Sequence, residues 1–365
     1  MVPKRIEAMV MDAGRHPVTL GTDALRALDQ DVKQAEASTL FVLGDENTLR
    51  HALPELLAHV PALRDAETIG VAAGEASKSL GVCQEIWQHL TVRAADREAL
   101  LINLGGGVVT DLGGFVAGAY KRGIRCMHVP TTLMGMVDAA IGGKTGIDLG
   151  GVKNLVGVFH DPLGVYVHGP FLRSLGKREL LNGVAEMIKH GLVRDADHYE
   201  SLREAPLHDL DALTPLVQRS AAIKAEVVKA DPRESGLRKL LNFGHTIGHG
   251  IEAYSWEGGQ RALLHGEAVA LGMIAEAWLS WRQGLLPRAA CDRIADHLLS
   301  LYKPYALQGD EHHRVIELMR NDKKNSGGQF RFTLLTGIGS AKTDAVVTAA
   351  QVQEALEYYR LLVRG

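Results

Sequence analysis

Three histidines, His245, His249 and His265, stand close together in LNFGHTIGHGIEAYSWEGGQRALLHGE (241–267), with apolar sequence on both flanks. His245 and His249 are four apart, so on a helix they share one side. His265 follows a polar, glycine-containing break at 256–261 and opens a second helical pattern. Two helical segments joined by a loop bring His245 or His249 near His265. Two imidazoles and one carboxylate, with coordination positions left open, make a catalytic zinc-type site. Histidines that only cap and hydrogen-bond their helices would show the same spacing, so a metal needs support from elsewhere in the chain. Glu186 and Lys189 sit i,i+3 in GVAEMIKHG, among Val184, Ala185, Met187 and Ile188. A carboxylate in such surroundings needs a partner or a metal. Lys189 is one candidate partner. The two-histidine site is the other, and Lys189 would then hold substrate. Lys224, Arg238 and Asn242 add cationic and amide groups shortly before His245. So many basic groups beside a metal suit a polyanionic, polyhydroxylated small molecule.

The second concentration of chemistry is rich in glycine. An apolar run at 99–104 leads at once into Gly105-Gly106-Gly107, and an apolar helical pattern follows at 108–120. Strand, glycines and helix make a pyrophosphate cradle, in which backbone N–H groups approach the anion at a helix N-terminus. The run is not GxGxxG, and a tight turn is the alternative reading. Gly113, Gly114 and Gly118 imply that something packs closely on this helix. A strand at 125–129 ends in Pro130-Thr131-Thr132, and Asp138, Lys144-Thr145 and Lys153-Asn154 follow. Lysines and hydroxyls among glycines suit an anionic ligand. Earlier, a strand at 39–43 ends near Asp45 and Asn47, which could hold ribose hydroxyls or simply cap the next helix. Glu75 and Lys78 follow a strand at 68–72, with the spacing of a surface helix pair or of a nucleotide contact.

These groups need two kinds of scaffold. Before about residue 170, strands at 39–43, 68–72, 99–104, 125–129 and 165–167 alternate with helices at 24–35, 48–59, 80–90 and 108–120, the pattern of a parallel α/β sheet. Afterwards helices dominate, at 177–190, 196–204, 210–231, 237–254, 266–283, 288–301, 312–321 and 350–362, and only 330–335 reads as strand. The expected architecture is therefore a Rossmann-like nucleotide-binding domain (1–172) and a mainly helical domain (173–365) carrying metal and substrate groups, with the active site in the cleft between them. The 365 residues carry a net charge of -3, which gives no bulk attraction to nucleic acid or anionic membranes. Three scattered cysteines, without CxxC, argue for a reducing compartment. Neither a signal peptide nor a membrane-spanning run is expected.

In order along the chain, GGGVVTDLGGFVA, VPTTL, VDAAIGGKTG, KNLVG, AEMIKHG, LRKLLNFGHTIGH and LHGEAVALGM resemble the motifs of the 3-dehydroquinate synthase family, within the sugar-phosphate cyclases. The resemblance implies conversion of 3-deoxy-D-arabino-heptulosonate 7-phosphate to 3-dehydroquinate and phosphate, in the shikimate pathway. It proceeds by transient NAD-dependent oxidation, β-elimination of phosphate, re-reduction and intramolecular aldol closure. Position by position, it gives Asp45, Asn47, Glu75 and Lys78 to the adenosine and ribose of NAD. Gly105, Gly106, Gly107, Val108 and Asp111 go to its pyrophosphate and nicotinamide side, with Thr131 and Thr132 alongside. Glu186, His245 and His265 would bind a divalent metal, zinc or cobalt. Asp138, Lys144, Asn154, Lys189, Lys224, Arg238, Asn242 and His249 would meet substrate. Lys144 would also touch the cofactor, and Lys153 would lie near nicotinamide. Arg122 would reach the phosphate in a neighbouring subunit, which implies a homodimer. Lys323 or Lys324 matches a late substrate lysine. The implied setting is cytoplasmic. The rival readings are an amino-dehydroquinate or deoxy-inosose cyclase and a metal-dependent polyol dehydrogenase.

Overall fold

The computed structural model describes residues 8–150, 152–257, 261–320 and 329–363. The chain divides into two compact units, Met1–Leu180 with Lys224–Pro232, and Leu181–Ile223 with Arg233–Gly365.

The strands of the first unit are β1 (Met9–Asp12), β2 (Pro17–Leu20), β3 (Leu40–Asp45), β4 (Glu67–Val71), β5 (Leu100–Gly105), β6 (Arg125–Pro130), β7 (Lys144–Leu149), β8 (Val152–Phe159) and β9 (Val165–Val167). Seven form one sheet in the order β1-β2-β9-β6-β5-β3-β4, parallel except for the β1–β2 hairpin. The helices are α1 (Ala24–Gln34), α2 (Glu46–His51), α3 (Leu53–His59), α4 (Leu80–Val92) and α5 (Gly107–Ala119). The central strands β3 and β5 are mostly apolar, as parallel strands covered on both faces are, and the buried Asn103 of β5 is hydrogen-bonded to His128. Phe41, Leu43 and Leu101 pack there with Val109, Leu112 and Val116 of α5. Helix α5 lies so close to its neighbours because of its glycines. A Cβ on Gly113 would fall 1.9 Å from Oδ1 of Asn103, and one on Gly114 would fall 2.3 Å from Cγ2 of Thr145.

The second unit is helical, as expected. It holds most of α6 (Lys177–Arg194) and α8 (Leu210–Ala230), with α7 (Ala196–Glu204), α9 (His245–Glu257), α10 (His265–Arg282), α11 (Arg288–Leu301), α12 (His312–Arg320) and α13 (Ala349–Leu362). Its one described sheet is the antiparallel pair β10 (Gln329–Gly337) and β11 (Ser340–Thr348). Helix α10 is buried without interruption from Gly266 to Ser280 and is the centre of this unit. It packs against α9, α11 and α13. At the α9–α10 contact, a Cβ on Gly272 would sit 2.0 Å from the Gly244 carbonyl oxygen. No helix among the described residues is long and apolar enough to cross a membrane.

Several local expectations change. The helix expected at 48–59 breaks at Ala52, and Pro54 falls in the first turn of α3. Proline is tolerated there and not in a helix interior. The helix expected at 237–254 becomes a 3-10 segment, Leu237–Asn242, followed by α9. Gly244 between them has φ +79, a left-handed conformation that ends one element and starts the other. The β7–β8 hairpin and strand β11 were not anticipated. The boundary between the two compact units falls inside α6, after Leu180, where 172 was expected, and the first unit also holds Lys224–Pro232.

Candidate active site

In the second unit the histidine cluster is built by two glutamates that hold the helix ends. Helix α9 begins at His245, and its first N–H groups would lack intrahelical partners. The fully buried Glu276 of α10 takes them, accepting from Gly244 N at 2.6 Å and Ile247 N at 3.0 Å. A carboxylate at this end also complements the helix dipole. His265 opens α10, and its Nδ1 lies 3.2 Å from Oε2 of the buried Glu252 on α9. The Nδ1 of His245 lies 3.1 Å from the Phe243 carbonyl oxygen and donates to it, leaving Nε2 as a lone-pair donor.

The three imidazoles form a triangle. Ring centroids are 5.2 Å apart for His245–His249 and for His245–His265, and 5.7 Å for His249–His265. One nitrogen from each lies within 4.8 Å of the others, so they form a set able to hold an ion. Glu186, fully buried on α6, turns Oε1 toward them, 3.5 Å from Nε2 of His245 and 3.6 Å from Nε2 of His265. It also pairs with Lys189 one turn along. Glu186 thus lies between Lys189 and the two histidines. Burial and the Lys189 ammonium hold His245 well below the usual histidine range, which keeps it neutral. Burial also opposes charge on His265, but Glu252 and Glu186 outweigh it and push its pKa up to about 10. Arg238 is buried in the 3-10 segment, and Asn242 at its end donates to Glu234 at 2.8 Å. His249 is exposed on α9.

In the first unit the chosen residues gather at the carboxyl ends of adjacent parallel strands, where open α/β sheets bind ligands. Asp45 closes β3 and caps α2, accepting from Asn47 N and Thr48 N, both at 2.9 Å. Gly105 ends β5, Gly106 is the N-cap of α5, and Gly107 and Val108 open the helix. Thr131 and Thr132 follow β6, with Thr131 N donating to the Gly105 carbonyl at 2.9 Å. After β4, Glu75 and Lys78 flank a short turn. The Lys78 ammonium, almost fully buried, meets Asp111 at 2.8 Å, Asn154 Oδ1 at 2.5 Å and Glu75 at 3.7 Å. Burial disfavours its charge, but Asp111 and Glu75 outweigh that and raise its pKa. Lys153 reaches Glu75 at 3.5 Å, and Lys224 reaches Asp138 at 2.6 Å. Lys144 opens β7 and is exposed.

Arg122 is exposed in a turn where Lys121, Arg122 and Gly123 have φ of 50, 69 and 112. Consecutive left-handed residues with side chains are strained, and such strain collects at functional positions. Lys323 and Lys324 lie outside the described residues. The sequence reading missed Glu252 and Glu276. The signal for Glu252 was its place seven residues after His245, on the same helix face. Glu276 could be found only as an acid inside the apolar run of α10.

Family comparisons fit this arrangement. The model described as 3-dehydroquinate synthase N-terminal matches residues 68–182, and the one described as 3-dehydroquinate synthase C-terminal matches 183–325. The 3-dehydroquinate synthase of Parabacteroides distasonis is 40% identical over 348 residues, 94% of this chain and 97% of the relative. That of Halorhodospira halophila is 42% identical over 354 residues, 93% of this chain and 94% of the relative. Among solved structures, 2-epi-5-epi-valiolone synthase from Streptomyces hygroscopicus subsp. jinggangensis, with NAD+ and Zn2+ bound, superposes with a TM-score of 0.83 at 29% identity, covering 95% of this chain and 97% of that one. A 2-deoxy-scyllo-inosose synthase complexed with carbaglucose-6-phosphate, NAD+ and Co2+ shares the fold, with a TM-score of 0.82 at 22% identity, covering 96% of this chain and 99% of that one. With both halves matched by its models and 40% identity to a curated relative over nearly the whole length, this chain belongs to the 3-dehydroquinate synthase family.

Proposed function

We propose that the chain converts 3-deoxy-D-arabino-heptulosonate 7-phosphate to 3-dehydroquinate and phosphate, with NAD and one divalent metal ion. Similarity to 3-dehydroquinate synthases over nearly the full length, at 40% and 42% identity, carries the reading. The donor geometry supports the metal. An ion about 2.0–2.1 Å from two imidazole nitrogens and a carboxylate oxygen in tetrahedral arrangement sets those donors roughly 3.3 Å apart. The 3.5 and 3.6 Å spacings from Glu186 to His245 and His265 are close to that, and long for hydrogen bonds. Zinc and cobalt both suit such donors, and the structural relatives were solved with one or the other. The Gly106 cap and the N-terminus of α5 suit a pyrophosphate.

When bound, NAD supplies a reversible hydride transfer and the ion polarises the substrate oxygens beside the oxidised carbon. This chain's residues position and charge-balance the rest. Asp45, Asn47, Glu75, Lys78, Gly105–Val108, Asp111, Thr131, Thr132, Lys144 and Lys153 are the proposed cofactor contacts. Glu186, His245 and His265 are the proposed ligands. Asp138, Lys144, Asn154, Lys189, Lys224, Arg238, Asn242, His249 and Lys323 are the proposed substrate contacts. His249, exposed beside the two ligand histidines, and Asp138, ion-paired with Lys224, are the groups assigned to proton handling and hydroxyl orientation. The free, buried thiols of Cys83, Cys126 and Cys291 support a cytoplasmic setting. The test is phosphate release from the heptulosonate phosphate with and without NAD. A polyol dehydrogenase on the same fold would instead accumulate NADH.

Glu252 should orient His265 as the carboxylate of a carboxylate–histidine–metal triad. Glu252→Gln is expected to weaken metal affinity by about 10–100-fold. Competition with a metal-indicator dye would read this, and unchanged affinity would remove Glu252 from the site.

The Arg122 guanidinium is proposed to meet the phosphate bound by the other subunit of a homodimer. Arg122→Ala should lower kcat/KM by roughly one to two orders of magnitude with dimerisation intact. Mixing it with Lys189→Ala, under conditions of subunit exchange, should recover activity above either parent. One heterodimer site then carries both lesions and the other carries none. No recovery, with exchange shown independently, refutes the shared site.

A further inference from the structure

We infer that Asp148 is a positioning residue that sets the conformation of Lys153 and Asn154, an inference that rests on the functional reading above. The β7–β8 ladder pairs Ile147 with Val156 and Leu149 with Val152. Between those pairs, Asp148 alone stands opposite Lys153, Asn154 and Leu155, so β8 bulges there. Bulges of this kind re-aim side chains. At its centre Asn154 has φ +50, a left-handed conformation that asparagine tolerates better than most residues.

A bulge leaves a backbone donor without a ladder partner. Oδ1 of Asp148 takes it, accepting from Asn154 N at 2.8 Å. The Asp148 backbone N–H donates to the Lys78 carbonyl at 2.8 Å, and the Lys78 ammonium donates back to Oδ1 of Asn154 at 2.5 Å. Asp148, Lys78 and Asn154 therefore close a three-membered hydrogen-bonded ring. The ring fixes which way the Asn154 amide points, and it leaves Lys153 at the neighbouring position facing Glu75. Asp148 touches none of the proposed ligands' binding groups except through this ring, so its effect is conveyed by Asn154, Lys153 and Lys78.

The experiment compares Asp148→Ala, which removes the acceptor, with Asp148→Asn, whose Oδ1 can still accept the Asn154 N–H. In the ligand-free protein, Asp148→Ala should speed amide hydrogen exchange at Asn154 by about 10-fold or more, the loss of one charge-assisted hydrogen bond. In the enzyme assay it should raise the KM for the sugar phosphate or lower kcat/KM by a similar factor. Asp148→Asn should restore both. Wild-type exchange in the alanine variant overturns the ring, and faster exchange with unchanged kinetics overturns the positioning role. Failure of asparagine to restore what alanine loses also overturns it, because the acceptor would then not be the cause. If the wild-type chain itself releases no phosphate, the functional reading fails. The exchange data and an NAD titration of both variants then still decide whether Asp148 holds the bulge and its lysine.

Discussion

Alanine at position 265 is expected to strip the divalent ion and cut phosphate release by about three orders of magnitude or more, since metal polarisation contributes several kcal/mol. His265 provides one of three donors, and its Nε2 stands 3.6 Å from the carboxylate that would complete the set. The α9–α10 packing that carries the site rests on Gly244, Gly248 and Gly272 rather than on His265, so the helices remain. The loss leaves Glu252 without its imidazole, and the melting temperature should fall while unfolding stays cooperative. Metal analysis, circular dichroism and the phosphate assay on one preparation test this together. Chelation of the wild type should give the same inactive, folded protein, because a three-donor site with open positions is catalytic rather than structural. An active, metal-replete His265→Ala variant sinks the assignment, and so does circular dichroism that collapses on chelation.

Gly106→Val should weaken NAD binding by at least about 100-fold, the loss of one or two charge-assisted hydrogen bonds. A Cβ at this N-cap position would lie 2.8 Å from Cγ2 and 3.1 Å from Oγ1 of Thr132. Thr132 cannot swing away freely, because its hydroxyl accepts the Gly135 N–H at 3.1 Å. The strand-to-helix turn must therefore shift, and the N–H groups at the start of α5 shift with it. Calorimetric titration reads the outcome directly. Unchanged affinity in a folded variant would show that the pyrophosphate sits elsewhere.

The sequence was most legible where one residue type had one physical use. Short, mostly apolar runs bounded by glycine, such as Leu100–Gly105, read as covered strands, and they form the middle of the sheet. The histidine spacing and the glycine run each pointed to a cluster of candidate residues, one in each unit. Partnerships made across elements were harder to see. Glu276 stands 32 residues from the Gly244 N–H it accepts, inside a helix that reads as core. Glu252 shows its use only once α9 and α10 lie side by side. The β7–β8 hairpin hid for another reason. Glycines interrupt it, much of β8 is exposed, and the bulge at Asn154 spoils the alternation that marks a strand.

The division of the chain also bears on how such a protein can be inherited in pieces. The two family matches meet between residues 182 and 183, yet the segment Lys224–Pro232, beyond that seam, belongs to the first unit. Through it Lys224 neutralises Asp138 at 2.6 Å, and Lys229 meets Asp12 at 2.9 Å. A chimera spliced at the seam from two diverged parents draws each of these charge pairs from both. Recombination there keeps both family-matched segments whole in sequence, yet it divides the first compact unit and separates a carboxylate from its lysine. The cost falls mainly on the largely buried Lys224–Asp138 pair, because Lys229 and Asp12 are exposed and their pairing contributes little.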